Sequence, residues 1–358
     1  MKSDRAALER FRDQLRSEAE KLGFDALGVA PAVPPPHYGH FLHWIAQGYH
    51  GQMQYMARHA AARADLDRIL PGTRSVVVVL KSYHDPDANK HTRRISRYAV
   101  RADYHDVLRE RLRRLAARLT EAFPEARCRA VVDTAPLLER DYAWLAGLGW
   151  IGKNTMLLNR RWGSWTFLGA LLTTLPLPPD QPYPVDHCGS CTRCLDACPT
   201  HAFLAPRLLD ATRCIAYWTI EHKGPLPQEG RGELHGWLFG CDICQEVCPW
   251  NRKAQRPAVE LLPERADLRR LEDAAELLER SDGELAEQIA GTPLERAGPE
   301  SLKRNAAYVL ARCPEARAEA ALQKAAEEPS EVVQDAARWA LAQLKRHPTV
   351  SSVVRSGS

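Results

Sequence analysis

Nowhere in the 358 residues do 18 apolar residues run together, so the sequence predicts no membrane-spanning helix. The opening residues, Met1-Lys2-Ser3-Asp4-Arg5, lack the apolar core of a secretory signal, so the expectation is a cytoplasmic protein with no membrane partner. A one-signed charge excess is also missing. Lys plus Arg number 49 and Asp plus Glu 45, leaving only +4, so a polyanion would have to meet a local basic patch. With 45% hydrophobic and 26% charged residues the chain is not globally disordered, and its length suits two or three domains. No G-x-G-x-x-G follows a predicted strand in the first domain, so no dinucleotide partner is expected.

Local patterns divide the chain. Leu8, Phe11, Leu15, Ala19 and Leu22 recur at helical spacing and end at Gly23. Ser75-Val76-Val77-Val78-Val79-Leu80 is a β-branched run between turn signals, and Leu108, Leu112, Leu115 and Leu119 mark a helix ending before Pro124. Arg129 to Val132 reads as a strand delivering Asp133, Pro136 stands near the start of a helix through Leu145, and Trp165 to Leu175 reads as a third strand. The first ~180 residues therefore look like one α/β or α+β domain. The proline-rich stretch Pro176 to Pro184 marks a boundary. Beyond Pro263 the composition turns to Ala, Leu, Glu and Arg. Leu302 to Ala311 and Val333 to Ala342 are similar runs 31 residues apart, which suggests stacked helix pairs of HEAT-like type, with a small helical bundle as the alternative. The expected division is 1–177, 178–262, 263–348 and a frayed tail, 349–358.

What the chain has in quantity is cysteine, ten in all, and in a reducing compartment clustered thiols are more often metal ligands or catalytic groups than disulfides. Cys188-x2-Cys191-x2-Cys194-x3-Cys198-Pro199 is the bacterial ferredoxin run. Cys241-x2-Cys244-x3-Cys248-Pro249 lies downstream, with Cys214 between, giving eight candidate ligands for two [4Fe-4S] clusters. By the crossed rule, Cys188, Cys191 and Cys194 take Cys248, and Cys241 and Cys244 take Cys198 and Cys214. The competing reading is tetrahedral zinc, for which the ferredoxin run is unusual. Cys128 and Cys313 sit outside the spacing and read as buried, inert thiols. A two-cluster carrier needs only a short chain, so the flanking domains imply an electron acceptor.

From Met53 to Asn251 the chain resembles the epoxyqueuosine reductase family of iron–sulfur and cobalamin enzymes. The resemblance rests on Arg97-Tyr98-Ala99, Asp103-Tyr104-His105, Val132-Asp133-Thr134-Ala135-Pro136, Gly149-Trp150-Ile151-Gly152-Lys153-Asn154, Gly163-Ser164-Trp165, both cysteine groups and Tyr217 to Pro225. It implies an α+β multidomain protein with a nitroreductase-like cobalamin-binding domain, a ferredoxin-like two-cluster domain and a HEAT-like tail that helps hold tRNA. It implies reduction of the epoxide of epoxyqueuosine, at the wobble position of tRNA, to queuosine with loss of water. Two electrons and two protons are required, so one-electron clusters need a centre that delivers a pair, and base-off cob(II)alamin reduced through the clusters fits that demand. A low-potential donor such as flavodoxin or ferredoxin is implied.

Asp133 matches the family's proton donor and would need burial or an apolar corrin face to be an acid near neutrality. The resemblance points to Tyr98, Tyr104, Asp133, Lys153, Asn154 and Ser164 as cobalamin contacts. Asp103-x-His105 superficially suggests a lower cobalt ligand, but no His ligation is expected. For tRNA, His222 and Lys223 near the clusters, and Lys303, Arg304, Arg312, Arg338, Lys345 and Arg346 in the tail, are candidates to pair phosphates. Arg101, Ala170 and Trp218 depart from the family's usual residues, a Gly, a Glu and a smaller apolar side chain. The alternatives are a corrinoid reductase or dehalogenase acting on a small molecule, and a ferredoxin-like electron carrier.

Overall fold

The computed structural model describes residues 2–85, 94–312 and 317–346. Cys313 and the expected tail from 349 lie outside the described residues. Packing gathers the chain into two compact units. The first comprises residues 1–90, 103–212 and 242–263, the second 91–102, 213–241 and 264–358. This differs from the expected division at 177 and 262: the segment holding Cys188 to Cys198 packs with the sheet-bearing part, and 94–102 leaves that part for the helical one.

The first unit is built on an antiparallel sheet. Its strands are β1 (Ala26–Pro31), β2 (Ser75–Ser82) and β3 (Cys128–Val131); after the short hairpin of β4 (Trp150–Ile151) and β5 (Leu157–Leu158) comes β6 (Thr166–Thr173). The order is β1-β2-β6-β3. The valine run forms β2, buried along its whole length because both faces of the sheet are covered. Val76, Val78 and Leu80 on one face join Ala170 and Leu172 of β6 under the helix Glu139–Leu145, whose Tyr142, Ala143 and Leu145 complete that core. That helix comes so close to β1 that a Cβ on Gly28 would collide with the Ala146 carbonyl. On the other face the helix Tyr104–Ala122 turns Leu108, Leu112, Leu115 and Leu119 inward, all fully buried, and Leu112 reaches Gly169 of β6.

The helices open and close where the residue types require. The first, Lys2–Lys21, stops at Gly23, whose φ is +85°. Asp103 caps 104–122 by accepting from the His105 backbone N–H at 2.9 Å. The helix after Asp133 begins at Glu139 instead of near Pro136, because Asp133 to Leu138 is spent on a turn. The strand β1 was not anticipated, its Ala-Leu-Gly-Val-Ala-Pro composition carrying little β signal.

The second unit is helical. Its centre is Gly298–Arg312, buried without interruption from Ser301 to Leu310, against which Glu331–Arg346 packs Val333, Ala336, Ala337 and Ala340. The two runs similar in sequence are thus the two helices in contact, and small Ala side chains let them approach closely. Residues 94–102 join this unit through a parallel bridge between Ile95 and Phe239 and an antiparallel one between Arg101 and Glu264. Two unusual residues are structural here: Arg101 is fully buried and paired with Glu264, and buried Trp218 lies against Gly230. In the first unit, Ala170 is buried between Val78 and Val131, where a carboxylate would have no partner. Among the described residues no helix is long and apolar enough to cross a membrane.

Candidate active site and thiol cavity

Asp133 follows β3 on a turn with φ +52°, a conformation an Asp tolerates better than most side chains. Its backbone N–H donates to Glu139 Oε1 at 2.7 Å, and its Oδ2 stands 3.1 Å from His105 Nε2. The other ring nitrogen, His105 Nδ1, lies 2.6 Å from Asp103 Oδ1. The helix cap, the imidazole and the turn therefore form one chain, Asp103–His105–Asp133. Burial works against a charged imidazole, but the hydrogen bonds and charges of Asp103 and Asp133 outweigh it and hold the His105 imidazolium up to about 9. Burial, with the charge of Asp133 added, pushes the Glu139 carboxyl up to about 8. Asp133 itself has a side chain 59% exposed, so the burial expected of it falls on its neighbours. The sequence reading missed His105 and Glu139 as partners. The signal for the first was present in Asp103-Tyr104-His105; Glu139 carries none.

Aromatic rings continue from His105. Tyr104 stacks on His105 at 4.1 Å and on Phe167 at 4.2 Å, and Phe167 packs on Tyr83 at 4.6 Å. Arg63 is buried, its guanidinium 5.5 Å over the Phe41 ring and Nη2 on Met56 Sδ at 3.4 Å. Its Nη1 has no partner among the described residues, and burial lowers its pKa against the opposing pull of Tyr55 and Asp133.

A second feature of the same unit is a cavity of about 200 Å³ lined by the thiols of Cys188, Cys191, Cys194 and Cys248. Cys188 and Cys191 lie on the approach to the short helix Arg193–Asp196, which carries Cys194; Cys248 precedes Pro249, the first residue of another short helix. Burial pushes the Cys194 thiol up to about 11, and the nearness of Cys248 and Cys188 adds to it. Such a set is stable as thiolates only around a cationic centre. Among the described residues no three His, Cys, Asp or Glu side chains close on a single-ion position. The thiols surround a space larger than one ion, which suits an iron–sulfur cube better than zinc. Asn154, also on the wall, is buried, and its Nδ2 has no partner among the described residues, which makes it a donor suited to a cluster sulfur. Trp150, Tyr183, His187 and Trp250 shield one side, with Trp150 and Trp250 5.1 Å apart.

Lys153 and Asn154 therefore line the thiol cavity, with Lys153 Nζ on the Gly189 carbonyl at 2.7 Å. The neighbouring Thr155 carbonyl accepts from Arg140 Nη1 at 2.6 Å, which ties this turn to the helix behind Asp133. Gly147, Gly149 and Gly152 spell G-x-G-x-x-G, but they follow a helix, and Gly149 is pressed against the Leu158 carbonyl. Ser164 is fully buried: its hydroxyl donates to Gln245 Oε1 and accepts from Asn251 Nδ2, both at 2.9 Å, so its bonding is internal. Tyr98 belongs to the second unit, 6.2 Å from the Phe239 ring, as do Cys214 and Cys241; Cys198 and Cys244 belong to the first. Cys128 is partly buried on Thr173, and burial raises its thiol.

Two of the expected tRNA contacts are corrected. Lys303 is 3% exposed, its Nζ between Asp282 and Glu328, and Arg304 is fully buried, donating to the carbonyls of Trp218, His222 and Gly224. Neither can reach a phosphate, because the helix that carries them is enclosed on all sides. His222 is half-buried with Nε2 on the Pro225 carbonyl, and Lys223 Nζ donates to the carbonyls of Arg296 and Ala297. Arg338 is exposed and, among the described residues, bonds along its own helix to Gln334. Arg312 pairs with Glu233, while Lys345 and Arg346 are exposed.

Comparison with known proteins adds the following. Residues 63–134 match the family described as epoxyqueuosine reductase QueG, and residues 187–251 match a 4Fe-4S double cluster binding domain. An epoxyqueuosine reductase from Pseudomonas aeruginosa is 41% identical over 346 residues, covering 94% of this chain and 95% of that protein. A crystal structure of epoxyqueuosine reductase with an epoxyqueuosine-modified tRNA-Tyr stem loop aligns at a TM-score of 0.83 and 31% identity, covering 94% of this chain and 91% of the other. The Bacillus subtilis enzyme, with its catalytic aspartate loop swung out of the active site, aligns at 0.83 and 30% with the same coverage.

Proposed function

The chain belongs to the epoxyqueuosine reductase family, and on that premise we propose that it reduces the epoxide of epoxyqueuosine in tRNA to queuosine, using cobalamin and two [4Fe-4S] clusters. The observation that carries this reading is the Asp103–His105–Asp133 chain, a proton path ending on an exposed carboxyl in the unit that holds the thiol cavity.

Cys188, Cys191, Cys194 and Cys248 would hold one cluster. The spacing assigns Cys198, Cys214, Cys241 and Cys244 to the other. The residues fit cobalamin: the rings of His105, Tyr104 and Phe167 offer a flat apolar stack beside Asp133 that would hold a corrin, while both His105 nitrogens are committed to carboxylates. Bound there, cobalamin supplies the paired electrons that carbon–oxygen cleavage demands. Tyr98, Tyr104 and Asp133 remain candidate corrin contacts. Lys153 and Asn154 serve the cluster loop, and Ser164 positions the Gln245–Asn251 segment.

The residues of the chain move the proton. Opening the epoxide leaves an alkoxide, a poor leaving group unless protonated as the bond breaks. Asp133 Oδ2 receives the proton of His105 Nε2 and passes it to that oxygen. Asp103 fixes the ring and stabilises the imidazolium, and Glu139 orients the Asp133 backbone. Arg63 adds positive charge where the oxygen's negative charge develops. The nitroreductase-like and HEAT-like descriptions of the two units, and a cytoplasmic location, belong to the same reading. Arg338, Lys345 and Arg346, all exposed, are the tail cations assigned to tRNA phosphate in this reading.

The test is anaerobic incubation of cluster-loaded protein, cobalamin and a low-potential reductant with epoxyqueuosine-containing tRNA, followed by nucleoside mass spectrometry. Cobalamin-dependent appearance of queuosine is expected. Absence of product with clusters and cobalamin both bound would transfer the chain to the small-molecule corrinoid reductases.

A further inference from the structure

Among the described residues, the charged side chains lining the thiol cavity, Lys153, Arg193 and Lys253, are all of one sign. Arg193 and Lys253 are exposed, and neither forms an ion pair among the described residues. Lys153 is held by a neutral carbonyl, so its charge too is uncompensated. The loop from Gly189 to Arg193 that covers the thiols is exposed at Gly189, Ser190, Thr192 and Arg193. Three residues before Cys188, Val185 is 50% exposed, one of the few large apolar side chains on the surface. The neighbouring carboxylate, Asp186, is paired with Arg207, so the cations around the thiols keep a net positive face, which charge complementarity suits to an acidic partner.

We infer that this face is the electron-entry port of the protein and that its partner is an acidic one-electron carrier protein, docked against Arg193 and Lys253. The inference rests on the proposed function, because only there does the cluster need external electrons. In each encounter the carrier loses one electron and the cluster held by Cys188, Cys191, Cys194 and Cys248 gains one. Two encounters and two protons are consumed for each epoxide reduced and each water released. Opposite charge steers the encounter and makes it sensitive to salt. A nucleic acid would also be drawn to cations, but these line the cavity of the thiols themselves, under an exposed loop, where a redox protein can bring its own centre close.

The experiment compares the full-length, cluster-loaded protein with its Arg193→Glu/Lys253→Glu variant. The probe is a plant-type [2Fe–2S] ferredoxin, an acidic carrier. Three quantities are read: ferredoxin affinity by calorimetry at low and moderate salt, the rate at which reduced ferredoxin bleaches the cluster absorbance, and affinity for the epoxyqueuosine stem loop. Expected are an affinity loss and a rate loss of at least about tenfold at low salt, disappearance of the salt dependence, and unchanged bleaching by reduced methyl viologen, a small cation that needs no docking. Stem-loop affinity should not move. Wild-type ferredoxin affinity in the variant would overturn the inference, as would a fall confined to stem-loop affinity, which would assign the rim to RNA. If the double reversal lowers iron content, Arg193→Gln/Lys253→Gln supplies the same comparison with a smaller effect. Queuosine formation by the wild type with methyl viologen separates failure of the port from failure of the proposed function.

Discussion

Two buried polar neighbourhoods, one in each unit, are built on opposite terms. Around Arg304 every donor is used: Nη1 serves the His222 and Gly224 carbonyls, Nη2 the Trp218 carbonyl, and Nε the Asn305 side chain, whose own amide reaches the carbonyls of Thr219 and Leu238. Around the thiol cavity, Asn154 Nδ2 and Trp150 Nε1 are buried and have no partner among the described residues. A closed network of this kind fixes backbone and leaves nothing for a ligand, whereas an unused donor beside a cavity costs stability unless something binds there. Arg304 and Asn154 look alike in the sequence, as polar residues within motif-like segments. Only their satisfaction separates scaffold from site.

Breaking the closed network should have the largest effect. Arg304→Met removes one cation and orphans three carbonyls, and should cost about 3–5 kcal/mol of stability in denaturant titration. Asn154→Leu gives up a single long bond, from the Met156 N–H to Oδ1 at 3.4 Å, and should cost about 1 kcal/mol or less in the cluster-free protein. Equal losses in the two variants would dissolve the distinction.

The proton chain gives the next largest effect. His105 has a folded-state value raised to about 9 from the ordinary 6.5, so the stability it contributes is fully present below about 6.5 and is lost as pH rises through about 9. Turnover should fall over the same upper limb as the imidazolium is lost. His105→Gln should lower turnover by roughly 10²–10⁴-fold at neutral pH and abolish that limb, measured as single-turnover rate against pH. A variant that keeps the limb would assign it to another group, with Glu139, raised to about 8, the first to test.

The smallest effect is expected at the surface. Arg338→Ala should leave stability within about 0.5 kcal/mol. It should weaken stem-loop binding uniformly and reduce the salt slope by up to about 0.9, the share of one phosphate. An unchanged slope would place the RNA elsewhere on the protein.

Much of this was legible in the chain. The valine run, the leucine spacing of 104–122 and the stop at Gly23 specify their elements locally, because β-branching, helical periodicity and a left-handed glycine act over a few residues. Cysteine spacing likewise picked out Cys188, Cys191, Cys194 and Cys248, which line one cavity. What the sequence could not show depends on distant neighbours. Burial of Lys303 and Arg304 follows from a helix covered on all sides, and sequence records their charge but not that cover. Lys153 and Asn154 stand beside the family's corrin motifs, yet their turn reaches the cluster loop through Gly189. Asp133 was found as a carboxyl at a strand end, but its role depends on His105, twenty-eight residues earlier and brought to it by the packing of a helix on the sheet.

The central claim is that Asp133 delivers the proton and contributes little to the scaffold, and single turnover of Asp133→Asn tests it most directly. With both clusters and cobalamin loaded, the variant should bind the stem loop and melt like the wild type while converting epoxyqueuosine at least about 10²-fold more slowly. Conversion at the wild-type rate would contradict the account and leave the His105 chain a structural cap.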